Sequence, residues 1–282
     1  AAQRGHRVTL FDAAAEIGGQ FNLAKRIPGK EEFYETLRYY QRMLDKHGVS
    51  VHLNTRVDAQ MLAAGGFDEV IVATGITPRE PRLPGIDHPM VVSYIDAILG
   101  RKPIGQRVAI MGAGGIGFDV AELLSHAGPS GALDREVFAK EWGIDFDNHP
   151  RGGVTGVKPE SQTSGRSITL LQRKTTPVGS SLGRTTGWTH RLTLTRRGVR
   201  MVNGVDYLHI DDAGLHTRVN DQPQLFEVDT VVVCAGQLPL RTLYDDLQAL
   251  GVPTQLVGGA FEASELDAKR AIEQASLMAA EI

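Results

Sequence analysis

Cysteine is almost missing from this sequence: Cys234 is the single one in 282 residues. No internal disulfide, CxxC redox pair or cysteine-held iron-sulfur cluster can therefore form within the chain. Cys234 lies in the apolar run Val231-Val232-Val233-Cys234-Ala235, where a thiol reads as a buried strand residue rather than a nucleophile. Such sparing use of cysteine fits a reducing, cytoplasmic setting. No apolar run approaches the ~20 residues of a membrane-spanning helix, and the start has no signal-peptide pattern. An excess of positive charge is also lacking. The formal net charge of -3 argues against a general attraction to nucleic acid. Glycine, in contrast, is plentiful at 32 residues, several of them where strands turn into helices. The length allows one large domain or two ordinary ones.

Along the chain, Ala1 to Arg7 reads as the end of a helix with Gly5 as its C-cap. Val8-Thr9-Leu10-Phe11-Asp12 follows as a short buried strand ending in an acid. In a dinucleotide-binding fold this is the second strand, so the sequence is expected to start inside a βαβ unit, its first strand and glycine loop upstream. Phe33, Leu37, Tyr40 and Leu44 recur at helical spacing and predict a helix over 31–47. Val49 to Leu53 and Glu69 to Ala73 read as strands, the latter running into Gly75. Pro78, Pro81, Pro84 and Gly85 predict an interdomain linker. A new unit starts with the strand Val108 to Met111, the run Gly112-Ala113-Gly114-Gly115-Ile116-Gly117 and a helix from Phe118 to Leu124. The next strand, Ile168 to Leu171, arrives late, so 127–166 reads as a surface insertion with an apolar island around Phe138 and Trp142. Further strands are expected at 199–202 and 205–210, and a hairpin of Leu215 to Val219 with Phe226 to Val228 around Asn220-Asp221. Val231 to Gly236 echoes Ile71 to Gly75, and the chain ends in a helix from about Glu265.

The glycine loop carries the most explicit chemistry. Gly112 permits the tight turn, Gly114 lets backbone approach a pyrophosphate, and Gly117 lets the helix pack closely on the strand. Gly115 completes the loop, whose helix N-terminus offers N–H groups to the phosphates. Its strand-turn-helix setting raises this motif above a bare glycine-rich turn. The following strand ends in Gln172-Arg173-Lys174 rather than an acid. Two cations there suit an adenosine 2′-phosphate, hence NADPH over NADH, although a solvated surface pair is the bland reading. Asp12, followed by Gly18-Gly19-Gln20, points to a second dinucleotide with an unphosphorylated ribose. The nine histidines show no linear metal-ligand spacing. His190 and Arg191 have no evident carboxylate partner, and Lys30-Glu31-Glu32 reads as a solvated helix start.

Several longer runs carry a resemblance. They are Gly18-Gly19-Gln20-Phe21-Asn22, Pro28 to Phe33, Gly112 to Asp119, Glu141 to Asp145, Thr185-Thr186-Gly187-Trp188 and Glu265 to Ala268. Together they resemble the C-terminal half of bacterial NADPH-dependent 2,4-dienoyl-CoA reductases over essentially the whole chain. The resemblance implies an upstream TIM barrel with FMN and the acyl-CoA site, then a cysteine cluster with a [4Fe-4S] centre. Electrons would pass from NADPH to FAD, through the cluster to FMN, and on to the dienoyl-CoA of fatty-acid β-oxidation. Carried over by position, Asp12 holds the FAD ribose, Gln20 lies near FAD, and Val57 contacts its adenine through the backbone. Gly75 closes the strand that echoes Cys234-Ala235-Gly236, while Gly259 and the helix start Leu266-Asp267-Ala268 face the flavin. Arg173 and Lys174 bind the 2′-phosphate. Gly259-Ala260 departs from the Gly-Asp of many related flavoproteins.

The expected fold is α/β: two Rossmann-like dinucleotide-binding domains, with the NADPH domain inserted in the FAD domain. The expected FAD domain is 1–100 plus 237–282, and the NADPH domain 101–236. The expected function is hydride transfer from NADPH to FAD, with no catalytic acid or base and no metal ligand named. The partners expected are the barrel and iron-sulfur segment of the same protein. Rival readings are the reductase half of a barrel-linked enzyme acting on another enone or an amine, and a nucleotide-binding domain without turnover.

Overall fold

The computed structural model describes residues 1–148, 151, 153–160, 162–263 and 268–282. In chain order its first strands are β1 (Thr9–Phe11), β2 (Ser50–His52), β3 (Val70–Val72), β4 (Ile76–Pro78) and β5 (Val91–Ser93). They are followed by β6 (Arg107–Met111), β7 (Ser167–Leu171), β8 (Arg200–Val202), β9 (Val205–Asp211) and β10 (Gly214–Val219). The last are β11 (Gln222–Phe226), β12 (Thr230–Val233), β13 (Gln237–Pro239) and β14 (Thr254–Leu256). The helices are α1 (Phe21–Ala24), α2 (Phe33–Lys46), α3 (Ala59–Ala64), α4 (Tyr94–Leu99) and α5 (Gly115–Ser125). Then come α6 (Arg135–Trp142), α7 (Gly187–Arg196), α8 (Thr242–Ala249) and α9 (Ala268–Glu281). None is long and apolar enough to cross a membrane.

The chain forms two compact units. One joins Ala1–Phe21, Tyr34–Arg79 and Gly236–Ile282, and the other joins Asn22–Phe33 with Glu80–Ala235. Residues 80–100, grouped with the first domain on the sequence, belong to the second unit because β5 pairs in parallel with β12 there. The expected linker is also more ordered than its prolines suggest. Ile76 to Pro78 makes an antiparallel pair with Gln237 to Pro239, as proline can at a strand with an open side.

In the first unit, β1 pairs with β2 and β3 with β14, both in parallel. Val72, Ala59, Leu62 and Leu247 form its core, with Phe11, Val57 and Leu256 packed against them. Asp58 starts α3 by accepting the Met61 N–H at 2.8 Å, a side-chain cap that satisfies an otherwise orphaned donor. The N-terminal segment expected to end a helix is a single 3₁₀ turn, Ala2–Arg4, closed by left-handed Gly5.

The second unit has three layers. Its five-stranded parallel sheet runs β5-β12-β6-β7-β8. Strand alternation sends Val108, Ile110, Ile168, Leu170 and Val232 to one face, against Phe118, Val120, Ala121 and Leu124 of α5 and Leu194 of α7. Ala109, Met111, Leu171 and Val231 face the other way, against Val205, Ile210, Leu215 and Phe226 of the antiparallel sheet β11-β10-β9. Burying such a side chain contributes about 1.5–3 kcal/mol, and both faces of these strands are covered, which explains their unbroken apolar runs. The β10–β11 turn is Asn220-Asp221, with φ of 49° and 64°, the left-handed pair that a two-residue hairpin needs.

The expected surface insertion contains a docked element. Asp134 caps α6 through the Glu136 and Val137 N–H groups. Trp142 packs edge-on to Trp188, centroids 6.4 Å apart. Buried Arg197 then ties the elements together, donating to Glu122 of α5 at 2.6 Å and to Glu141 of α6 at 3.0 Å. Burial raises the Glu122 carboxyl, and Arg197 opposes that rise.

Candidate functional site

The glycine loop lies at the carboxyl end of β6, where chain leaving a parallel sheet is free to meet a ligand. Met111 stands in register with Leu171, and the Leu171 carbonyl accepts the Gly112 N–H at 3.0 Å. Gly112 has φ 109°, and a Cβ there would stand 2.3 Å from the Cys234 carbonyl oxygen. At Gly117 a Cβ would stand 1.9 Å from the Gly112 carbonyl oxygen. At Gly114 and Gly115 it would meet nothing within 4 Å. Two glycines are thus demanded by the protein's own packing, while two others leave backbone bare to the outside. Gly114 is the N-cap of α5 and offers no side-chain cap to the helix, so the first N–H groups remain for an anion.

The neighbouring strand end supplies positive charge. Gln172 is buried, and its amide donates to the carbonyls of Lys174 at 3.1 Å and Thr176 at 2.7 Å. This pins the turn on which Arg173 and Lys174 are exposed. The two cations and the glycine loop therefore occupy the ends of adjacent strands. Tyr207 carries no signal in the linear sequence. Its hydroxyl donates to the Leu171 carbonyl at 3.2 Å, and burial raises its pKa while the Arg173 charge opposes the rise.

One reading of charge is corrected here. Lys30 is not simply solvated: its ammonium donates to both oxygens of Asp119, on the first turns of α5, at 2.6 and 2.8 Å. His190 is half-buried beside this pair. Burial first, and then the Lys30 charge, lower its pKa, while Asp119 opposes them. Only the fold reveals this cluster, since Lys30, Asp119 and His190 are distant in sequence.

In the first unit, Asp12 follows β1. Its carboxylate accepts the Ala14 N–H at 2.8 Å, and its carbonyl accepts the Thr55 N–H at 2.9 Å. That bond draws the segment leading to Val57 beside it. Gln20 sits on an exposed turn after Gly18 and Gly19, both at positive φ. Gly75 and Gly259 are brought together: a Cβ on Gly259 would come 3.3 Å from the Gly75 backbone and 2.8 Å from Ile76. Arg241 donates to the Ala260 carbonyl at 2.9 Å and also to Phe261, holding the same turn. Ala268 begins α9, while Leu266 and Asp267 lie outside the described residues.

A parallel sheet feeding a glycine turn into a helix, in a unit that interrupts a second α/β unit, defines a flavin- and nicotinamide-linked oxidoreductase module. Residues 1–262 match the pyridine nucleotide-disulphide oxidoreductase family, and the chain belongs to it. A metal reductase of Desulforamulus reducens is 27% identical over 270 residues, which span 93% of this chain and 38% of that protein. The solved complex of 2-naphthoyl-CoA reductase covers all of this chain and 37% of its own, with TM-score 0.81 and 23% identity. Histamine dehydrogenase from Rhizobium sp. 4-9 covers 94% of this chain and 39% of its own, with TM-score 0.70 and 18% identity. These two structures share the fold, and this chain spans less than two fifths of each of the three proteins. The family implies FAD and a nicotinamide dinucleotide as ligands. The bare backbone at Gly114 and Gly115 suits a pyrophosphate of either kind. The family's name refers to a disulphide, yet these residues hold one cysteine. Burial raises the Cys234 thiol pKa, and Asp119 adds to the rise, which suppresses thiolate chemistry.

Proposed function

We propose that this chain is the NADPH-to-FAD part of a flavoprotein that reduces 2,4-dienoyl-CoA thioesters, working with a barrel, FMN and a [4Fe-4S] cluster carried elsewhere in the same protein. The observation that carries the nicotinamide half is the pairing of a bare Gly114-Gly115 backbone with Arg173 and Lys174 at the next strand end. The α5 N-terminus holds the pyrophosphate, and the two cations hold the 2′-phosphate by charge-assisted bonds. Asp12 accepts from the FAD ribose, the Val57 backbone meets the adenine, and Gln20, Gly75, Gly259 and the segment Leu266-Asp267-Ala268 line the rest of the FAD site. When bound, the nicotinamide and the flavin supply the hydride chemistry between them. The protein's residues position and shield, and none needs to act as acid or base.

The test uses the whole reading frame that contains this sequence, purified and mixed anaerobically with NADPH and a 2,4-dienoyl-CoA. NADPH oxidation matched by loss of dienoyl absorbance supports the reading. Flavin reduction without loss of the dienoyl would keep the NADPH-to-FAD step and reject the substrate. The amine alternative is favoured by one finding, the likeness to histamine dehydrogenase. In that case the same preparation would be reduced by an amine and leave the dienoyl-CoA intact.

A further inference from the structure

The antiparallel sheet of the second unit carries a second cluster of donor atoms that the dinucleotide chemistry does not use. His209 and His216 stand opposite each other in the β9–β10 register. Their rings stack with centroids 4.0 Å apart and planes 13° from parallel. The register shifts between His216 and Thr217, leaving Leu208 as an extra residue on β9. This bulge re-aims the strand. Val205 and Ile210, an odd number of residues apart, both reach the core, and His209 and Asp211 share the opposite face. Leu215 and Thr217 are buried, so His216 joins them there. An Asp211 oxygen lies 2.9 Å from His216 Nε2, and the other lies 3.5 Å from His209 Nε2. One donor atom from each of the three residues lies within 4.8 Å of the others. In tetrahedral zinc sites, bonds of about 2.0–2.2 Å place such atoms about 3.3 Å apart. The two carboxylate–imidazole spacings, 2.9 and 3.5 Å, bracket that value.

The carboxylate is also fixed in place. Asp211 accepts the Ala213 N–H at 2.9 Å. Strand pairing, not linear spacing, brings these three residues together.

We propose that His209, Asp211 and His216 bind a divalent transition-metal ion of the zinc type, bridging β9 and β10. Two imidazoles and one carboxylate match the ligand preferences of zinc and its neighbours, and leave a coordination position for water or an outside ligand. Among the described residues, no other such cluster of three is present. The competing arrangement is a carboxylate that merely pairs with the two imidazoles without a metal.

Zinc chloride titrated into the chelator-stripped chain tests the proposal by calorimetry, with bound metal counted by elemental analysis. One zinc per chain is expected, with a rise in Tm because the ion binds the folded hairpin. His209→Ala and His216→Ala should each weaken binding by more than about tenfold, the scale reached even by outer partners of metal sites. His47→Ala, in the other unit, should leave binding unchanged. A readout that needs no variant is modification by diethyl pyrocarbonate: zinc should protect His209 and His216 in the unsubstituted chain. Absence of stoichiometric binding, binding unaffected by loss of both histidines, or equal modification with and without zinc would overturn the proposal.

Discussion

Gly114 and Gly117 lie three residues apart in one loop, yet their substitution should do opposite things. Gly114 has φ -81° and open space at its Cβ position, so the protein itself accepts alanine. We expect Gly114→Ala to leave Tm within about 2 °C while weakening NADPH binding at least about tenfold, because a methyl group displaces the phosphate. Fluorescence titration and thermal melts check this. Unweakened binding would mean that no phosphate approaches that backbone. Gly117→Ala gains about 1 kcal/mol of helix propensity, but its methyl would stand 1.9 Å from the Gly112 oxygen. Net destabilisation by about 1–3 kcal/mol is expected from overpacking. Arg173→Ala with Lys174→Ala should raise the KM for NADPH about 10- to 100-fold, as loss of charged hydrogen bonds does, and leave that for NADH nearly unchanged. Equal effects on both would assign the pair to the solvent. The glycines and these cations were legible because each depends on a few consecutive residues. Lys30 with Asp119, and Tyr207 beneath the loop, were not, because tertiary packing alone brings them together.

Elements are joined by charge as well as by apolar contact. Arg197, 4% exposed, binds acids on both α5 and α6. Arg197→Ala leaves the largely covered Glu122, 14% exposed, without its partner and should destabilise the second unit by about 3–5 kcal/mol, measurable by urea unfolding. A change below about 1 kcal/mol would show that the pair is balanced by its own desolvation. Asp229, just before β12, accepts the Gln106 and Arg107 N–H groups and the Arg107 guanidinium. The Arg107 side-chain bond, first among these, depresses its pKa below 3.8. A depressed folded-state pKa gives stability that is present above the unfolded value and is lost as pH falls through the lower folded one. As pH falls through the ordinary carboxylate range and below it, the chain should therefore lose stability more steeply than Asp229→Asn. Parallel curves would remove this carboxylate from the acid response. At this scale the Asn220-Asp221 hairpin was readable, since two residues set its turn. The docking of α6 was not, because Glu141 finds its cation 56 residues away.

For the whole molecule, the α/β class and the interruption of one unit by another were visible in the echo between Ile71–Gly75 and Val231–Gly236. The division at 79/80 was not, because β5 is short and joins its sheet only through β12, over a hundred residues away in sequence. The proposed preference for NADPH rests on Arg173 and Lys174 at the end of β7. The most direct measurement is therefore anaerobic stopped-flow reduction of the flavin in the protein from the whole reading frame, with NADPH and NADH compared at equal concentration. We expect NADPH to bleach the oxidised flavin at least about tenfold faster at subsaturating concentration, as the 2′-phosphate contacts proposed for Arg173 and Lys174 require. Equal rates with both donors, or no bleaching with either, would contradict NADPH-to-FAD transfer through this site.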